Sequence, residues 1–206
     1  MTEILLASNN DHKHREFARL FPGARILVPR DIGLEFDFPE DGDTFFSNAH
    51  GKAEALYRLA RLHGLPARPV IADDSGLCVD SLDGAPGILS SRYGMAPGGK
   101  PLEAPARNRY LLERLRDVKD RAARFVCCLV VVRDKDRYLA AQETVSGVIT
   151  GEPRGTNGFG YDPLFFLPGL GKTMAEIPDE EKDRVSHRGR AARRIRSMMD
   201  GSMMDD

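Results

Sequence analysis

The sequence predicts an α/β fold built on a mixed β-sheet, and three observations carry that reading. Short apolar runs of strand length alternate with segments whose apolar residues recur at helical spacing. The longest β-type run, RFVCCLVVV within residues 123–133, is followed closely by a second, Leu139 to Ile149, so one long hairpin interrupts the alternation. Helices alternating with strands around a hairpin call for parallel and antiparallel pairing in one sheet.

Each element has its local reason. Ile4 to Ala7 is an apolar run that reads as a strand and ends in Ser8-Asn9-Asn10, all good N-cap residues. The helix that follows places Phe17, Leu20 and Phe21 at compatible spacing. Residues 25–38 read as short extended pieces, interrupted by Pro29 and Gly33 and closed by Pro39. Thr44 to His63 reads as a long helix, with Asp43 as its cap and Gly64 then Pro66 as its stop. PVIAD, residues 69–73, reads as a buried strand that Leu77 to Val79 continue or pair with. Gly84 to Gly99 is rich in Gly and Pro and reads as loop or short helix. Arg107 to Val118 is helical, with Tyr110, Leu111, Leu115 and Val118 on one side. The two long strands come next, then the glycine-rich loop EPRGTNGFGYDP and a short strand, LFFLP. Residues 186–199 close the series as a basic helix with Ala191, Ile195, Met198 and Met199 on one face.

Composition bounds the function. A chain of 206 residues makes one large domain or two small lobes, and 41% apolar residues supply a real core. Thirty basic against thirty-one acidic side chains leave a net charge of −1, without the bulk electrostatic signature of a nucleic-acid-coating protein. No apolar run approaches the ~18 residues of a membrane span. MTEILLASNN has no basic n-region and only a few apolar residues, which argues against a secretory signal. Cys78, Cys127 and Cys128 are odd in number, two are adjacent, and none has metal-ligand spacing. They read as packed thiols in a reducing compartment, so the expectation is a cytoplasmic protein without membrane or nucleic-acid partners.

Four polar clusters lie at the ends of predicted strands, where open α/β sheets place ligands. SNNDHK, residues 8–13, sits at a helix start, where backbone N–H groups and Lys13 favour an anion. PEDGDTF, residues 39–45, leaves Glu40 and Asp41 for a cation or water, and Lys52 lies two turns further on. IADDSG, residues 71–76, places Asp73 and Asp74 side by side after a strand. Strand neighbours face opposite ways, so the two carboxylates do different jobs, and hard oxygens there suit Mg²⁺. GTNGFGYDP with EEKDRVSHRG offers Phe159 and Tyr161 for stacking, Asp162 as an acceptor, and Lys182, His187 and Arg188 as donors. A capped helix, a solvated turn and a tight glycine turn are the plain readings of the same segments. Gly171-Lys172-Thr173 lacks the earlier glycine of a P-loop, Phe166 standing there, and His12 and His14 lack a third ligand for zinc.

Taken together and in this order, the segments LASNNDHKHREF, EDGDTFFSNAHGKA, IADDSGLCVDSLDGAPGILSSRYG, RFVCCLVV, GVITGEPRGTNGFGYDPLFF and GKTMAEIPDEEKDRVSHRGRA resemble the inosine triphosphate pyrophosphatase family, the dITP/XTP pyrophosphatases. The resemblance spans nearly the whole chain. It implies one two-lobed domain over residues 1–206, a long curved mixed sheet flanked by helices, and a central cleft. It implies Mg²⁺-dependent hydrolysis of deaminated purine nucleoside triphosphates (dITP, ITP, XTP) to monophosphate and pyrophosphate, by a homodimer. Carried over by position, Ser8, Asn9, Asn10, Asp11, His12 and Lys13 cradle the triphosphate, and Lys52 meets phosphate. Glu40 and Asp74 hold the metal, with Asp74 also the proton acceptor. Ser75 touches substrate. Phe159, Gly160, Tyr161 and Asp162 form the base pocket with Phe159 stacking, and Lys182, His187 and Arg188 complete it. Arg188 and the backbone N–H groups of the 159–162 loop are the donors suited to the 6-keto oxygen.

The residues themselves leave open whether Asp73 or Asp74 is the base. MAPGGKPLEAPARN departs from the resemblance as a surface loop, and the tail GSMMDD, without a counterpart in it, reads as a frayed end. Two rivals remain: a Maf-type enzyme acting on modified pyrimidine triphosphates, and a nucleotide- or RNA-binding module using Arg184, Arg188, Arg190, Arg193, Arg194 and Arg196.

Overall fold

The computed structural model describes residues 2–201. The expectation of a frayed end at the last residues falls outside them.

Seven strands form one sheet in the order β2-β1-β3-β4-β5-β6-β7. They are β1 (Thr2–Leu6), β2 (Ala24–Leu27), β3 (Val70–Val79), β4 (Ala122–Val132), β5 (Tyr138–Ile149), β6 (Phe165–Leu167) and β7 (Lys172–Thr173). β1 lies parallel to β2, with Ile4 opposite Ile26, and parallel to β3, with Leu5 opposite Val70. β6 is antiparallel to both β5 and β7. The sheet is therefore mixed, as the alternation of strands and helices with one hairpin requires. The helices are α1 (Asp11–Leu20), α2 (Phe45–Leu62), α3 (Ala104–Arg114), α4 (Asp179–Val185) and α5 (His187–Gly201).

The chain divides into two compact units. The first takes the chain up to Asp74, Cys127–Glu143 and the chain from Arg188; the second takes Ser75–Val126 and Thr144–His187. In the first unit, strand alternation sends neighbours to opposite faces. Ile4, Leu6, Cys127 and Leu129 pack with Phe17 and Leu20 of α1 and Ala191 and Ile195 of α5. Leu5, Ala7, Cys128 and Val130 pack with Ala49, Ala53 and Leu56 of α2. Sheet segments buried on both faces read as continuous apolar runs, which is why β4 shows little polar alternation. In the second unit, Leu111 and Leu115 from α3 and its end pack with Leu77, Val79, Phe125, Val145, Ile149 and Phe165.

Several boundaries differ from the sequence reading. Thr44, not Asp43, caps α2: its Oγ1 accepts from Ser47 N at 3.0 Å while Ser47 Oγ accepts from Thr44 N at 3.1 Å. That reciprocal pair satisfies two backbone donors at once, which a single Asp43 carboxylate would not. β3 is one continuous strand, so Leu77 to Val79 continue it. α3 begins three residues early, because Pro105 is tolerated in a first turn. The closing basic helix is preceded by a separate helix, α4, and the extended backbone of Ser186 (φ −69°, ψ 158°) separates it from α5. Lys172–Thr173 form β7, so the glycine-lysine-threonine triplet does not open a helix.

Candidate functional site

The first unit gathers charge around the end of β1 and the middle of β3. Asn10 caps α1, its Oδ1 accepting from His12 N at 2.9 Å and Lys13 N at 3.2 Å. Ser8 Oγ accepts from Asn10 N at 3.2 Å, and Asn9 Nδ2 donates to Phe36 O at 2.7 Å. The cap thus consumes two of the amides that an anion at this helix start would use. Asp11 pairs on the surface with Arg30, and His12 Nδ1 lies 3.1 Å from Arg15 Nη2. Lys13 turns its ammonium to Asp73, Nζ to Oδ1 2.9 Å.

Asp73 and Asp74 have opposite surroundings, as consecutive strand residues must. Asp73 Oδ2 accepts from Arg188 Nη2 at 2.9 Å and Nε at 3.2 Å. Arg188 Nη1 in turn donates to Glu16 Oε2 at 2.6 Å. Burial alone would raise the Asp73 pKa, but Lys13, Arg188 and Lys52 outweigh it and hold the carboxyl far below the ordinary range. Burial likewise opposes the Lys13 and Arg188 cations, and the Asp73 carboxylate reverses that, raising both. Asp74 instead meets a neutral amide: Asn48 Nδ2 donates to its Oδ2 at 2.9 Å. Burial, against the Asn48 hydrogen bond and with help from the like charge of Glu40, pushes Asp74 up to about 6. Glu40 pairs with Lys52, which α2 presents one turn after Asn48.

Among the described residues, no group of three or more His, Cys, Asp or Glu side chains is arranged to hold a metal. Asp74 and Glu40 are hard-oxygen donors, and the negative field of Glu40 acts on Asp74. Mg²⁺ is usually held by one or two carboxylates, waters and substrate phosphates, so this donor set fits it.

The second unit holds the base-loop candidates. Phe159 N donates to Asp162 Oδ2 at 2.8 Å, and Lys182 Nζ donates to the same oxygen at 2.7 Å. Both partners of that ion pair are buried. The same ammonium lies 5.1 Å from the centroid of Phe159, over its ring. Phe159 remains partly exposed, whereas Tyr161 is buried and donates its hydroxyl to Ser90 O at 3.0 Å. Burial, partly countered by Arg107, keeps that phenol protonated. Tyr161 is therefore an anchor of the loop, and Phe159 is its less buried ring, with the Lys182 ammonium over it. His187 stacks on Phe125, centroids 4.8 Å apart. Ser75 follows Asp74 in β3 and begins the second unit.

Of the residues expected from the sequence, Ser8 to Lys13, Glu40, Lys52 and Asp74 fall in the first unit, and Ser75, Phe159 to Asp162, Lys182 and His187 in the second. Arg188 falls in the first, where it donates to Asp73 and Glu16. Among the other arginines near it, Arg194 pairs with Glu143 and Arg196 donates to Leu20 O. The sequence pattern does not single out Asn48 or Glu16. Each had a spacing signal: Asn48 lies four residues before Lys52, and Glu16 three after Lys13, on the same helix faces.

The Ham1 family model matches residues 4–198. A dITP/XTP pyrophosphatase of Treponema denticola is 50% identical over 200 residues, 97% of this chain and all of that protein. One from Staphylococcus epidermidis is 44% identical over 201 residues, 98% of each chain. The solved Staphylococcus aureus Ham1 protein superposes with a TM-score of 0.83 at 38% identity, covering 98% of this chain and all of that one. The HAM1 protein from Coxiella burnetii gives 0.82 at 36% identity, again over 98% and 100%. Among the described residues, no helix is long and apolar enough to cross a membrane.

Proposed function

On the premise that the chain belongs to the Ham1 family and is a nucleoside triphosphate pyrophosphatase, we propose that it hydrolyses dITP, ITP and XTP to the monophosphate and pyrophosphate. The observation that carries this reading is the pair Asp73 and Asp74. One carboxylate is locked between two cations and the other is held by a neutral amide beside a second carboxylate.

Roles follow from those surroundings. Asp73, paired with Lys13 and Arg188, is a poor proton acceptor and serves to hold Lys13 in place for the triphosphate. Asp74, held by Asn48, is the carboxylate able to take a proton from water. That water attacks the α-phosphorus in line; the bond from it to the bridging oxygen breaks, and pyrophosphate leaves. Lys13 and Lys52 offset charge on the phosphates. Glu40 and Asp74 would hold Mg²⁺, which supplies further neutralisation of the triphosphate when bound. Phe159 stacks on the base, with Asp162 and Lys182 fixing its loop. Arg188 and the backbone N–H groups of that loop are the donors for a 6-keto oxygen, Arg188 keeping N–H groups beyond those it gives to Asp73 and Glu16. Adenine, with an amino group there, leaves a donor unpaired. The same reading carries a cytoplasmic homodimer, which sedimentation of the purified chain checks.

The test is turnover of dITP with Mg²⁺ in ¹⁸O-labelled water. Pyrophosphate release with label in the monophosphate is expected. Release of orthophosphate, or label in the pyrophosphate, would overturn the reaction proposed.

A further inference from the structure

The base loop has a feature that lies on α3, outside every segment assigned to substrate so far. Asn108 is buried, 5% exposed, and its Nδ2 donates to Gly160 O at 3.1 Å. Its Oδ1 is buried without a hydrogen-bond partner among the described residues. Burying a carboxamide with its acceptor unmet is costly, so packing alone gives no reason for an asparagine here. The bond it does make is to the loop. Reversing the amide would set one acceptor against another, so the donor must face Gly160.

That bond fixes a peptide plane. The Gly160–Tyr161 peptide is trans, so its C=O and N–H point in opposite directions. Holding the carbonyl against α3 turns the Tyr161 N–H away from α3. The amides of Phe159 and Asp162 are already spent, on Asp162 Oδ2 and Phe159 O. The Tyr161 N–H makes no hydrogen bond among the described residues. Gly160 has φ +64°, a conformation other residues rarely adopt, and a Cβ there would meet nothing within 4 Å. The glycine is therefore present for its backbone angle, not for lack of room. The Arg107 guanidinium lies over the Tyr161 ring, 5.5 Å from its centroid, so neighbouring α3 residues grip both ends of this peptide.

We propose that Asn108 is a positioning residue for base selection: it holds the Gly160 carbonyl and so aims the Tyr161 N–H at the 6-keto oxygen of a deaminated purine. This rests on the reading that the 159–162 loop takes the base.

The experiment measures kcat and KM for pyrophosphate release from dITP and dATP in wild type, Asn108→Ala and Asn108→Asp, with thermal unfolding alongside. In both variants kcat/KM for dITP falls by between about tenfold and a hundredfold, the cost of a misaimed contact. That for dATP, which has no 6-keto oxygen, stays within about twofold. The selectivity ratio therefore drops, which a merely structural role would not produce. Asn108→Asp keeps the shape and puts an acceptor against Gly160 O, so it carries the test if the alanine variant does not fold. An unchanged ratio, or equal losses on both substrates, would overturn the proposal. A wild type that does not prefer dITP to dATP would instead overturn the base-loop reading, and the proposal with it.

Discussion

Asp73 and Asp74 are chemically identical and one residue apart, yet their surroundings give them opposite proton affinities. Asp73 sits against Lys13 and Arg188, and Asp74 against Asn48 and the field of Glu40. Asp74→Asn should leave the melting temperature close to wild type, since it removes a buried charge that Glu40 repels. Pyrophosphate release should fall by about 10²–10⁴-fold, the usual worth of a general base. Steady-state kinetics on the folded variant checks both. A second expectation concerns Lys182 and Asp162, a buried pair at 2.7 Å. Lys182→Met leaves the Asp162 carboxylate buried beside an apolar chain, so stability should drop by about 3–5 kcal/mol in urea unfolding. Asp162→Asn in the same background should recover part of that loss. The adjacent carboxylates, the lysines and the FGYD loop were legible in the sequence because their types and order are unusual there. Asn48, Glu16 and Asn108 were not, because a polar residue on a helix looks solvated until its neighbours are known. Arg188 was legible as a candidate donor but not as the partner of Asp73, a contact 115 positions away in the chain.

The elements carry the site by the register in which they present side chains. β3 delivers two carboxylates in its middle, and α2 presents Asn48 and Lys52 one turn apart. The glycine-rich loop closes on itself so tightly that Gly158 has no room for a side chain. A Cβ there would stand 2.1 Å from Asp162 Oδ2 and 2.9 Å from Lys182 Nζ, and φ is +74°. Gly158→Ala should therefore cost more than about 1 kcal/mol of stability and raise KM for dITP. Urea midpoints and substrate titration measure the two effects. Element type was readable wherever apolar periodicity was strong, as in α2 and β4. It failed at short pieces. β7 spans two residues and α4 is mostly charged, so neither leaves a periodic trace. The cap of α2 shifted from Asp43 to Thr44 because a reciprocal Thr–Ser pair outcompetes a single side chain.

At the scale of the whole molecule, apolar burial organises the chain and keeps its thiols out of solvent. Cys78, Cys127 and Cys128 are all buried thiols. Burial pushes the Cys128 thiol up to about 11, and the negative fields of Asp74 and Asp73 push the same way. A raised thiol pKa disfavours the thiolate in the folded state. Its share of stability is present below the ordinary thiol pKa of about 9 and is lost as pH rises from there towards 11. Native protein should react slowly with Ellman's reagent at pH 8 and yield three thiols after denaturation. Cys128→Ala should lose less of its urea midpoint between pH 8 and pH 10.5 than wild type does. The mixed sheet and the order of its main elements were legible from the alternation of strand and helix patterns. The division of β3 between Asp74 and Ser75 was not, because that strand is continuous in sequence and in backbone.

The central claim is selective pyrophosphate release from deaminated purine triphosphates. It is tested most directly by one panel with Mg²⁺: dITP, XTP, dATP, dGTP, dUTP and a methylated pyrimidine triphosphate. Fast release from dITP and XTP, with the others slow, is the predicted result. Preference for the modified pyrimidine, or no release from any of the six, would contradict it.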